Sequence, residues 1–277
     1  MAREGRLRSA LLSALTVAVV LLYLFPILWL YLAAIKPPAD IVGAPFDLFP
    51  HSVTLDNFVR IWNSVGFQTA LRNSLAVSFA TAVVVTSIAL MAAFSLSRFR
   101  YRLQGSFATA ILAMQMLPGI VIVVPLIVIL RGVHLTDNLV GLMIAYLLLG
   151  LPVAVWMLKG YMDDIPPALD EAAMIDGATP WQVLTRVVIP LMAPATVAVA
   201  AFTFMLAWGE YLFALSLLTS TESKTLPLAL QAAVGRYTID WGMLTAGGVL
   251  ISIPPTVLFI YFQRYLIGGL TAGGVKG

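Results

Sequence analysis

Five carboxylates crowd into one polar stretch of this chain, between two apolar runs that are each long enough to cross a bilayer. This connector, residues 159–190, carries Asp163, Asp164, Asp170, Glu171 and Asp176. A bilayer would reject it, because one charged side chain at the membrane centre costs about 2.5–3.5 kcal/mol. Ionised carboxylates accept strong hydrogen bonds from cationic or amide donors. The connector is therefore a candidate docking surface for a soluble partner.

Start and stop signals within the connector predict a short helix. Pro166-Pro167 suits a helix start, where a missing N–H costs nothing. Asp170 and Glu171 follow in the first turn or so, where negative charge complements the positive end of a helix. Gly177 can adopt the left-handed conformation that ends a helix. An ordinary solvated loop that happens to be helical is the alternative interpretation.

A second helix is predicted directly after that turn. Thr179-Pro-Trp-Gln182 is a capping box with proline at the first helical position. This helix would lead into the next apolar run, with kinks near Pro190 and Pro194. The connector is therefore predicted to form a helix, a sharp turn and a second helix.

The composition as a whole is that of an integral membrane protein. Hydrophobic residues make up 61% of the chain and charged residues 10%, with a mean hydropathy of +0.97. Average soluble domains carry about 25% charged residues. The chain has no cysteine, which excludes disulfides, thiolate catalysis and cysteine-ligated metals.

Six apolar stretches are long enough, or nearly so, to cross a membrane as helices, which takes about 20 residues each. They cover residues 10–35, 74–97, 105–130, 138–158, 193–218 and 242–263. The sequence therefore predicts an all-α integral membrane protein that forms a single domain over 1–277. The connector around 163–190 and the tail, 264–277, would lie outside the membrane.

Basic residues predict which side those parts face. Placing the amino terminus in the cytoplasm assigns ten of the 16 Lys and Arg residues to the inside. Two inner clusters of three stand out, Arg3 to Arg8 and Arg98 to Arg102. Because positive residues concentrate on the cytoplasmic side of membrane proteins, both termini and the connector are expected there.

The connector resembles the EAA loop of permease subunits in binding-protein-dependent ABC importers. Glu171-Ala-Ala-x-x-Asp-Gly177, followed by Val187-x-Ile-Pro190, has the spacing of that family from Glu to Gly and from Gly to Pro. Val187 and Ile189 stand where the family often has Ile and Leu. This loop indicates the superfamily and does not distinguish its solutes.

Other segments are similar to the sugar branch of the same superfamily. The tail Gly269-Leu-Thr-Ala-Gly-Gly-Val-Lys-Gly277 looks like the end of maltose-type, MalG-like permeases. Ser95-Leu-Ser-Arg-Phe-Arg-Tyr101 and Asn73-Ser74 also fit permeases of that branch. The resemblance covers essentially the whole chain.

This resemblance implies the type I ABC importer permease fold, in which the short cytoplasmic helix between spans four and five couples to an ATPase. The helix would sit in a cleft on the ATPase and move with it, so that the spans alternate between inward-open and outward-open states. The residues implied in coupling are Glu171, Ala172, Ala173, Asp176, Gly177 and Pro190. The tail is implied as a second contact, with a frayed terminus as the alternative, through Thr271, Ala272, Gly273, Gly274 and Lys276.

The resemblance also implies a heteromeric complex in the inner membrane of a bacterial or archaeal cell. Its other members would be a second, MalF-like permease, two copies of a cytoplasmic ABC ATPase and an extracytoplasmic sugar-binding protein. The external loop 219–241 is implied as a contact for the binding protein. The solute is expected to be an oligo- or disaccharide.

The chain itself is not expected to be an enzyme. A P-loop needs Gly-Lys followed by Ser or Thr, and none of its lysines follows a glycine. No cofactor is expected in this chain, and ATP and Mg would be held by the partner ATPase. His51 and His134 lack a neighbouring ligand pattern, so no metal site is expected.

Helix-breaking residues at membrane depth indicate where a translocation path could run. Backbone groups freed within a bilayer must be buried in protein or face water. Packing kinks are the alternative explanation. Gln115, in the third span, is polar and could contact a hydroxylated solute or form a hydrogen bond between helices. The breaks lie at Pro118-Gly119, Pro125, Gly150, Pro152 and Pro254-Pro255.

Glu210 is the charged residue of the fifth predicted span, roughly 12 Å from its outer end at about 1.5 Å per residue. An ionisable residue within the membrane is a functional hypothesis by default. Trp208 and Tyr211 beside it offer a stacking surface and a hydroxyl suited to sugars. Trp208, Glu210 and Tyr211 are therefore candidate pathway residues. A structural contact of Glu210 with the partner permease is the alternative.

Two other functions stay open on the sequence alone. An importer of another solute, such as a polyamine, would share the EAA loop. An ion-coupled secondary transporter would need several buried ionisable groups and internal inverted repeats. The spans contain Glu210 and no convincing pair of repeats.

Overall fold

The computed structural model describes residues 2–43, 47–235 and 238–272, with side-chain surroundings for residues 11–43, 47–231, 233–235 and 238–263. The regular secondary structure of this part of the chain is helical, with one isolated antiparallel bridge between Val234 and Ile239. The all-α prediction is confirmed.

Helices occupy the apolar stretches and much of the polar sequence between them. The α-helices in chain order are α1 (Ala2–Ala34), α2 (Pro38–Gly43), α3 (Asp56–Trp62), α4 (Phe67–Arg98), α5 (Gln104–Gln115), α6 (Gly119–Gly132), α7 (Leu139–Asp163), α8 (Ala168–Ile175), α9 (Pro180–Val183), α10 (Ile189–Leu191), α11 (Ala193–Gly209), α12 (Leu212–Leu217), α13 (Leu226–Ala229) and α14 (Trp241–Ala272). A π-helical turn, Leu184–Val188, joins α9 to α10, and a 3₁₀ turn, Leu230–Ala233, follows α13.

Four helices of the described chain are long and apolar enough to cross a membrane. They are Leu11–Ala34 of α1, all of α4, all of α7 and Trp241–Gln263 of α14. Two bent pairs meet the same criteria when each pair is taken together, α5 with α6 and Pro180–Leu191 with α11. By length and composition, the described residues therefore provide four spans, or up to six.

The third predicted span, 105–130, is divided into two helices. α5 and α6 are bent by 101° at the break between them. Pro118 explains this break, because it has no N–H to donate into a continuing helix and its ring disfavours helical backbone at the residue before it. Pro118 itself is extended, with φ −60° and ψ 132°. Pro125, in contrast, lies inside α6.

The fifth predicted span, 193–218, is interrupted as well. α11 ends at Gly209, and Glu210 has extended backbone angles of φ −73° and ψ 131°. At its other end, α11 follows an 80° bend from the helical segment Pro180–Leu191. The predicted kink near Pro190 and Pro194 is confirmed. Both prolines lack the N–H that a straight helix would use there.

The chain divides into two compact units, and the first comprises Met1–Phe67 and Leu230–Ile253. Its short helix α3 follows α2 and precedes α4 in the chain. From α3, the buried side-chain amide of Asn57 donates to the carbonyl of Ala34 at 3.0 Å and to that of Lys36 at 2.7 Å. These bonds satisfy carbonyl groups that the end of α1 leaves without a helical partner.

The second unit, Gln68–Ala229 with Pro254–Gly277, contains two clusters of buried apolar side chains. α7 contributes to both and is the central helix of this unit. A Cβ added at Gly150 of α7 would lie 3.4 Å from Thr203 of α11 and 3.7 Å from Val85 of α4. A glycine here therefore permits close packing of the three helices. One cluster includes Val85, Val155, Leu158 and Val188, and the other Val77, Leu142, Tyr146 and Phe213.

Candidate functional site

The polar connector has the predicted helix, sharp turn and helix. α8 is followed by Gly177 with a φ of +89°, a left-handed conformation that favours glycine. The backbone N–H of Thr179 donates to Oε1 of Gln182 at 2.8 Å, and the N–H of Gln182 donates to Oγ1 of Thr179 at 3.3 Å. These two bonds are the predicted capping box, so the turn between the helices is fixed on both sides.

The residues predicted to couple to an ATPase lie mostly on the surface of the connector. Ala173 is half-buried and packs against the hydrophobic core that contains Val188. The surface around α8 is therefore open to a partner while one side of the helix rests on the protein. The exposed members of the set are Glu171, Ala172, Asp176, Gly177 and Pro190.

Large apolar side chains also lie on the exposed surface of the connector, and the sequence pattern does not identify them as candidates. Ile175 is 86% exposed and Trp181 is 62% exposed, while Leu169 and Met174 are about half exposed. Exposed apolar groups clustered in a polar segment mark an interaction surface. Ile175 occupies one of the unspecified positions of the EAA pattern, so the pattern does not mark it as a functional residue.

An ion pair holds the inner side of α8. Nε of Arg98, the last residue of α4, lies 2.5 Å from Oδ2 of Asp170, and the two side chains are 9% and 6% exposed. Nη2 of Arg98 also donates to the carbonyl of Ile165 at 2.9 Å. The sequence indicates only that Asp170 complements the helix dipole. In the structure it also attaches the first turn of α8 to α4.

A second polar link joins the end of α4 to Asp163, the last residue of α7. Oγ of Ser97 donates to Oδ1 of Asp163 at 2.6 Å, and Nζ of Lys159 donates to Oδ2 of Asp163 at 2.5 Å. Nη1 of Arg98 in turn donates to Oγ of Ser97 at 3.2 Å. The last turn of α4 therefore contacts the connector at both Asp163 and Asp170.

The connector reaches the fifth span through a widened helix. In the π-helical turn, the N–H of Ile189 donates to the carbonyl of Leu184, five residues earlier. Pro190 follows and cannot donate, so the regular helical pattern cannot continue through it. Leu184 and Val188 are buried in the core beside α8. Single π-helical turns occur often at functional sites, and this one lies between the docking surface and α11.

Glu210 caps the second part of the broken fifth span. Its carboxylate accepts the backbone N–H of Phe213 at 2.9 Å and 3.1 Å, and that of Ala214 at 3.2 Å. The first N–H groups of a helix otherwise lack a partner. The sequence predicts that Glu210 lines a pathway or contacts another subunit. The structure shows a different role within this chain, the capping of α12.

The breaks in the third and fifth predicted spans lie next to each other. A Cβ added at Gly119, the first residue of α6, would lie 3.6 Å from Cε2 of Phe213 in α12. Gln115 ends α5 on the other side of the first break and is exposed. Non-helical backbone from two predicted spans is therefore gathered in one region of the second unit.

The aromatic candidates beside Glu210 differ in their surroundings. Trp208 is buried and stacks on Phe204, with ring centroids 5.6 Å apart and an interplanar angle of 15°. Tyr211 is 38% exposed and lies in the break itself. Of these two, Tyr211 presents a surface that a solute could reach, whereas the indole of Trp208 packs inside.

The loop that begins at Thr219 is fastened by Asp137. Its carboxylate accepts the N–H of Thr219 at 2.9 Å, the N–H of Ser220 at 3.0 Å and the hydroxyl of Ser223. Burial alone raises the pKa of Asp137, but these hydrogen bonds outweigh it and hold the pKa well below its ordinary value. The carboxylate therefore stays ionised while it holds the loop.

Asn73 and Ser74, near the start of α4, fasten the rest of the same loop. The side-chain amide of Asn73 donates to the carbonyls of Glu222 at 2.8 Å and Lys224 at 2.9 Å. The N–H of Leu226 donates to Oγ of Ser74 at 2.7 Å. The segment 219–226 is thus held in one shape at the start of α4.

The predicted tail contact lies largely outside the described residues. α14 ends at Ala272, so Thr271 and Ala272 are helical in backbone and their side chains are not described. Gly273, Gly274 and Lys276 lie outside the described residues. The tail contact stays a prediction.

Comparison with known families and proteins gives consistent matches. Residues 85–271 match the family described as "binding-protein-dependent transport system inner membrane component". The chain is 35% identical to DasC, the diacetylchitobiose uptake system permease protein of Streptomyces coelicolor, over 91% of this chain and 92% of DasC. It is 34% identical to SugB, the trehalose transport system permease protein of Mycobacterium tuberculosis, over 99% of this chain and 100% of SugB.

The fold is shared with a solved structure. A chain from the crystal structure of a bacterial ABC transporter, involved in the import of the acidic polysaccharide alginate, superposes with a TM-score of 0.82. The match covers 95% of this chain and 98% of that chain, at 22% identity. The predicted type I permease fold is thereby confirmed.

Proposed function

Because this chain belongs to the family of binding-protein-dependent transport system inner membrane components, we propose that it is the permease subunit of an ATP-driven importer for an oligo- or disaccharide. The two relatives compared above are named for the uptake of diacetylchitobiose and trehalose, and the similarity extends over nearly the whole chain. These names support a sugar as the class of solute. They lend no support to a polyamine or to ion-coupled transport.

The observation that carries the coupling role is the exposed surface of α8 and the turn after it. Glu171 and Asp176 provide carboxylate acceptors, and Ile175 and Trp181 provide apolar groups that water does not favour. Interfaces are commonly built this way, with a few large apolar side chains at the centre and charged groups around them. This surface would dock into a cleft of a cytoplasmic ATPase subunit.

Transport requires that movement of the docked helix reach the spans. α8 follows α7 in the chain, and the second connector helix continues through the π-helical turn into α11. A force on Glu171–Gly177 would therefore act on the fourth and fifth spans together. Their rocking would open the pathway alternately to the two sides of the membrane, which is the alternating access expected of this family.

The adjacent breaks in the third and fifth spans support a pathway in that region. Peptide groups outside a helix are tolerated at membrane depth where they line a watery cavity or are buried in protein. Gln115 and Tyr211 are exposed beside these breaks and could form hydrogen bonds with sugar hydroxyls. Glu210 would shape this region by capping α12, and Trp208 would support it through packing.

The remaining parts of the proposal concern partners and orientation. The chain has no P-loop lysine, so ATP and Mg would be held by two copies of an ATPase subunit. A second, MalF-like permease would complete the pore, and an extracytoplasmic sugar-binding protein would contact the fastened loop that begins at Thr219. The positive-inside pattern supports cytoplasmic termini. The tail 271–276 would be a second contact for the ATPases.

Purification of the intact complex through a tag on this chain tests the proposal. Its subunits are identified by mass spectrometry, and ATP hydrolysis is measured in proteoliposomes with the copurifying binding protein and a panel of solutes. We expect an ATPase subunit in the complex and hydrolysis stimulated by one di- or oligosaccharide. An assembly without an ATP-hydrolysing subunit contradicts the coupling role, and stimulation by a polyamine alone contradicts the assignment to sugars.

A further inference from the structure

Arg98 connects the end of the second predicted span to the connector through two of its nitrogens, and the third donates within α4. Nε lies 2.5 Å from the carboxylate of Asp170, Nη2 donates to the carbonyl of Ile165, and Nη1 donates to Oγ of Ser97. A planar guanidinium can serve several acceptors at once in a fixed geometry. The guanidinium therefore holds both Asp170, in the first turn of α8, and Ile165, shortly before α8, against the end of α4.

The other contacts of α8 are apolar packing and its neighbours along the connector. Asp170 is the one buried residue of α8, all of whose side chains are described. Ala173 adds a half-buried apolar contact, and the helix is only eight residues long. So short a helix is marginal on its own. The paired charge of Asp170 is therefore the buried polar contact that attaches α8 to α4, beside the packing of α8 on α9 and the π-helical turn.

The burial of the pair makes it hard to open. Both side chains are less than a tenth exposed, and separating them would leave an uncompensated charge away from water. Removing one partner of a buried pair is far more damaging than removing one partner of an exposed pair. The pair is therefore expected to stay closed when α8 is displaced.

We propose that Arg98 and Asp170 make the last turn of α4 move with α8, so that the second span receives the force delivered to the connector along with the fourth and fifth. This inference rests on the coupling role proposed above, and it names a positioning pair for that role. Asp163, held by Ser97 and Lys159, forms a second link of the same junction. The chain connectivity alone gives α4 no direct attachment to the connector.

Neighbouring charges provide matched controls. Arg100, two residues after Arg98 in the same basic cluster, is exposed. Asp164 is an exposed acid that precedes α8. Asp164 belongs to the connector, but neither residue is among the implied coupling residues of 171–177 and 190 or among the partners of the Arg98 junction. Arg100→Gln and Asp164→Asn therefore remove the same charges from the same part of the chain without opening the buried pair.

The test compares coupling in the reconstituted complex, as sugar transported per ATP hydrolysed, normalised to assembled complex. The variants are Arg98→Gln, Asp170→Asn and the exchange Arg98→Asp with Asp170→Arg. We expect the ratio to fall at least about tenfold in each single variant, because each leaves one buried charge unpaired. The controls should keep the ratio of the unmodified complex. The exchange should recover a large part of it, since opposite charges again face each other.

The outcomes separate this inference from the proposed function. A ratio in both single variants equal to that of the controls overturns the positioning role. If the single variants fail to assemble, an exchange that restores neither assembly nor the ratio overturns it too, since pairing is then not what the site requires. If Gly177→Val uncouples transport while Arg98→Gln does not, the coupling role of α8 stands and this inference falls. A complex without any ATPase would contradict both the coupling role of α8 and this inference.

Discussion

The carboxylate of Glu210 lies 2.9 Å from the backbone nitrogen of Phe213 and so begins α12 directly after α11 has ended. The same phenyl ring of Phe213 lies beside Gly119, where α6 begins after the break in the third predicted span. A single acid therefore stabilises a helix end at the point where two interrupted spans meet. This arrangement explains how a charged residue is accommodated in an apolar stretch.

Replacing Glu210 should affect stability before it affects the choice of sugar. Glu210→Ala removes the acceptor for two N–H groups, and loss of a helix cap costs about 1–2 kcal/mol. We expect a lower melting temperature of the purified complex and reduced uptake. Glu210→Gln keeps one acceptor, so it should keep most of the melting temperature and most of the uptake. Glu222→Ala, at an exposed glutamate, is the control. An altered sugar preference in Glu210→Gln at unchanged stability would show a pathway role instead.

The turn after α8 should require the left-handed conformation of Gly177. A residue with a Cβ raises the free energy of this conformation by roughly 1–2 kcal/mol, and a β-branched residue raises it more. Gly177→Val should uncouple ATP hydrolysis from transport, and Gly177→Asn should retain more coupling because Asn tolerates this conformation. Gly160→Ala is the matched control, since a Cβ at Gly160 of α7 meets no described atom within 4 Å. Normal transport by Gly177→Val would be evidence against a shape requirement at this turn.

Ile175 and Trp181 should contribute to docking rather than to folding. Each is largely exposed, so Ile175→Ser and Trp181→Ser remove little buried area within this chain. A central apolar residue of an interface is commonly worth more than about 2 kcal/mol, or over tenfold in affinity. We expect the ATPase subunit to dissociate more readily while the melting temperature of the isolated chain is unchanged.

The control for these variants is Val65→Ser, at a side chain that is 87% exposed in the turn before α4 and matches the 86% of Ile175. This variant should leave the retention of the ATPase unaltered during purification. Equal retention in all three variants would exclude Ile175 and Trp181 from the interface.

Asp137 should protect the loop that it fastens against proteolysis at every pH near neutrality. Its pKa is lowered in the folded chain, so its stabilisation is present above the unfolded value of about 3.9 and is lost only as pH falls through the folded value. Trypsin cleavage after Lys224 should therefore be slow and, after correction for the enzyme, independent of pH between about 5 and 9. Asp137→Asn should accelerate it, because a neutral amide is a weaker acceptor for the donors of this loop.

The control for the loop is Asp56→Asn, at an exposed acid in α3. It should not change the cleavage rate. Slow cleavage in Asp137→Asn would mean that Asn73 and Ser74 suffice to hold the loop. The same assay in the presence of the sugar-binding protein then reports whether that protein covers Lys224.

Features that depend on neighbouring residues could be predicted from the sequence. The helix, turn and capping box of the connector follow from Gly177, Thr179 and Gln182, because capping is decided within four residues. The break at Pro118 and the bend near Pro190 follow from a missing N–H in the same way. The all-α membrane class follows from composition, which needs no knowledge of the fold.

Features that depend on distant residues could not be predicted in this way. Arg98 and Ile165 are 67 residues apart in the chain, and only the packing of α4 against the connector brings them together. The sequence pattern counts Arg98 with Arg100 and Arg102 as one basic cluster, although burial distinguishes it from them. The cap at Glu210 is a local contact, but the helix break that permits it contains no proline, so the sequence does not predict it.

The most direct test of the central claim places a single cysteine at Ala172, in a chain that has none of its own. A photoactivatable crosslinker attached to Ala172→Cys is irradiated in the active, reconstituted complex. The control is Leu55→Cys, 65% exposed directly before α3 and far from the connector in sequence. We expect a crosslink from residue 172 to the ATP-hydrolysing subunit and loss of sugar uptake in proportion to it, with neither at residue 55. Sugar uptake that persists while residue 172 crosslinks to no ATPase would contradict the coupling role of α8.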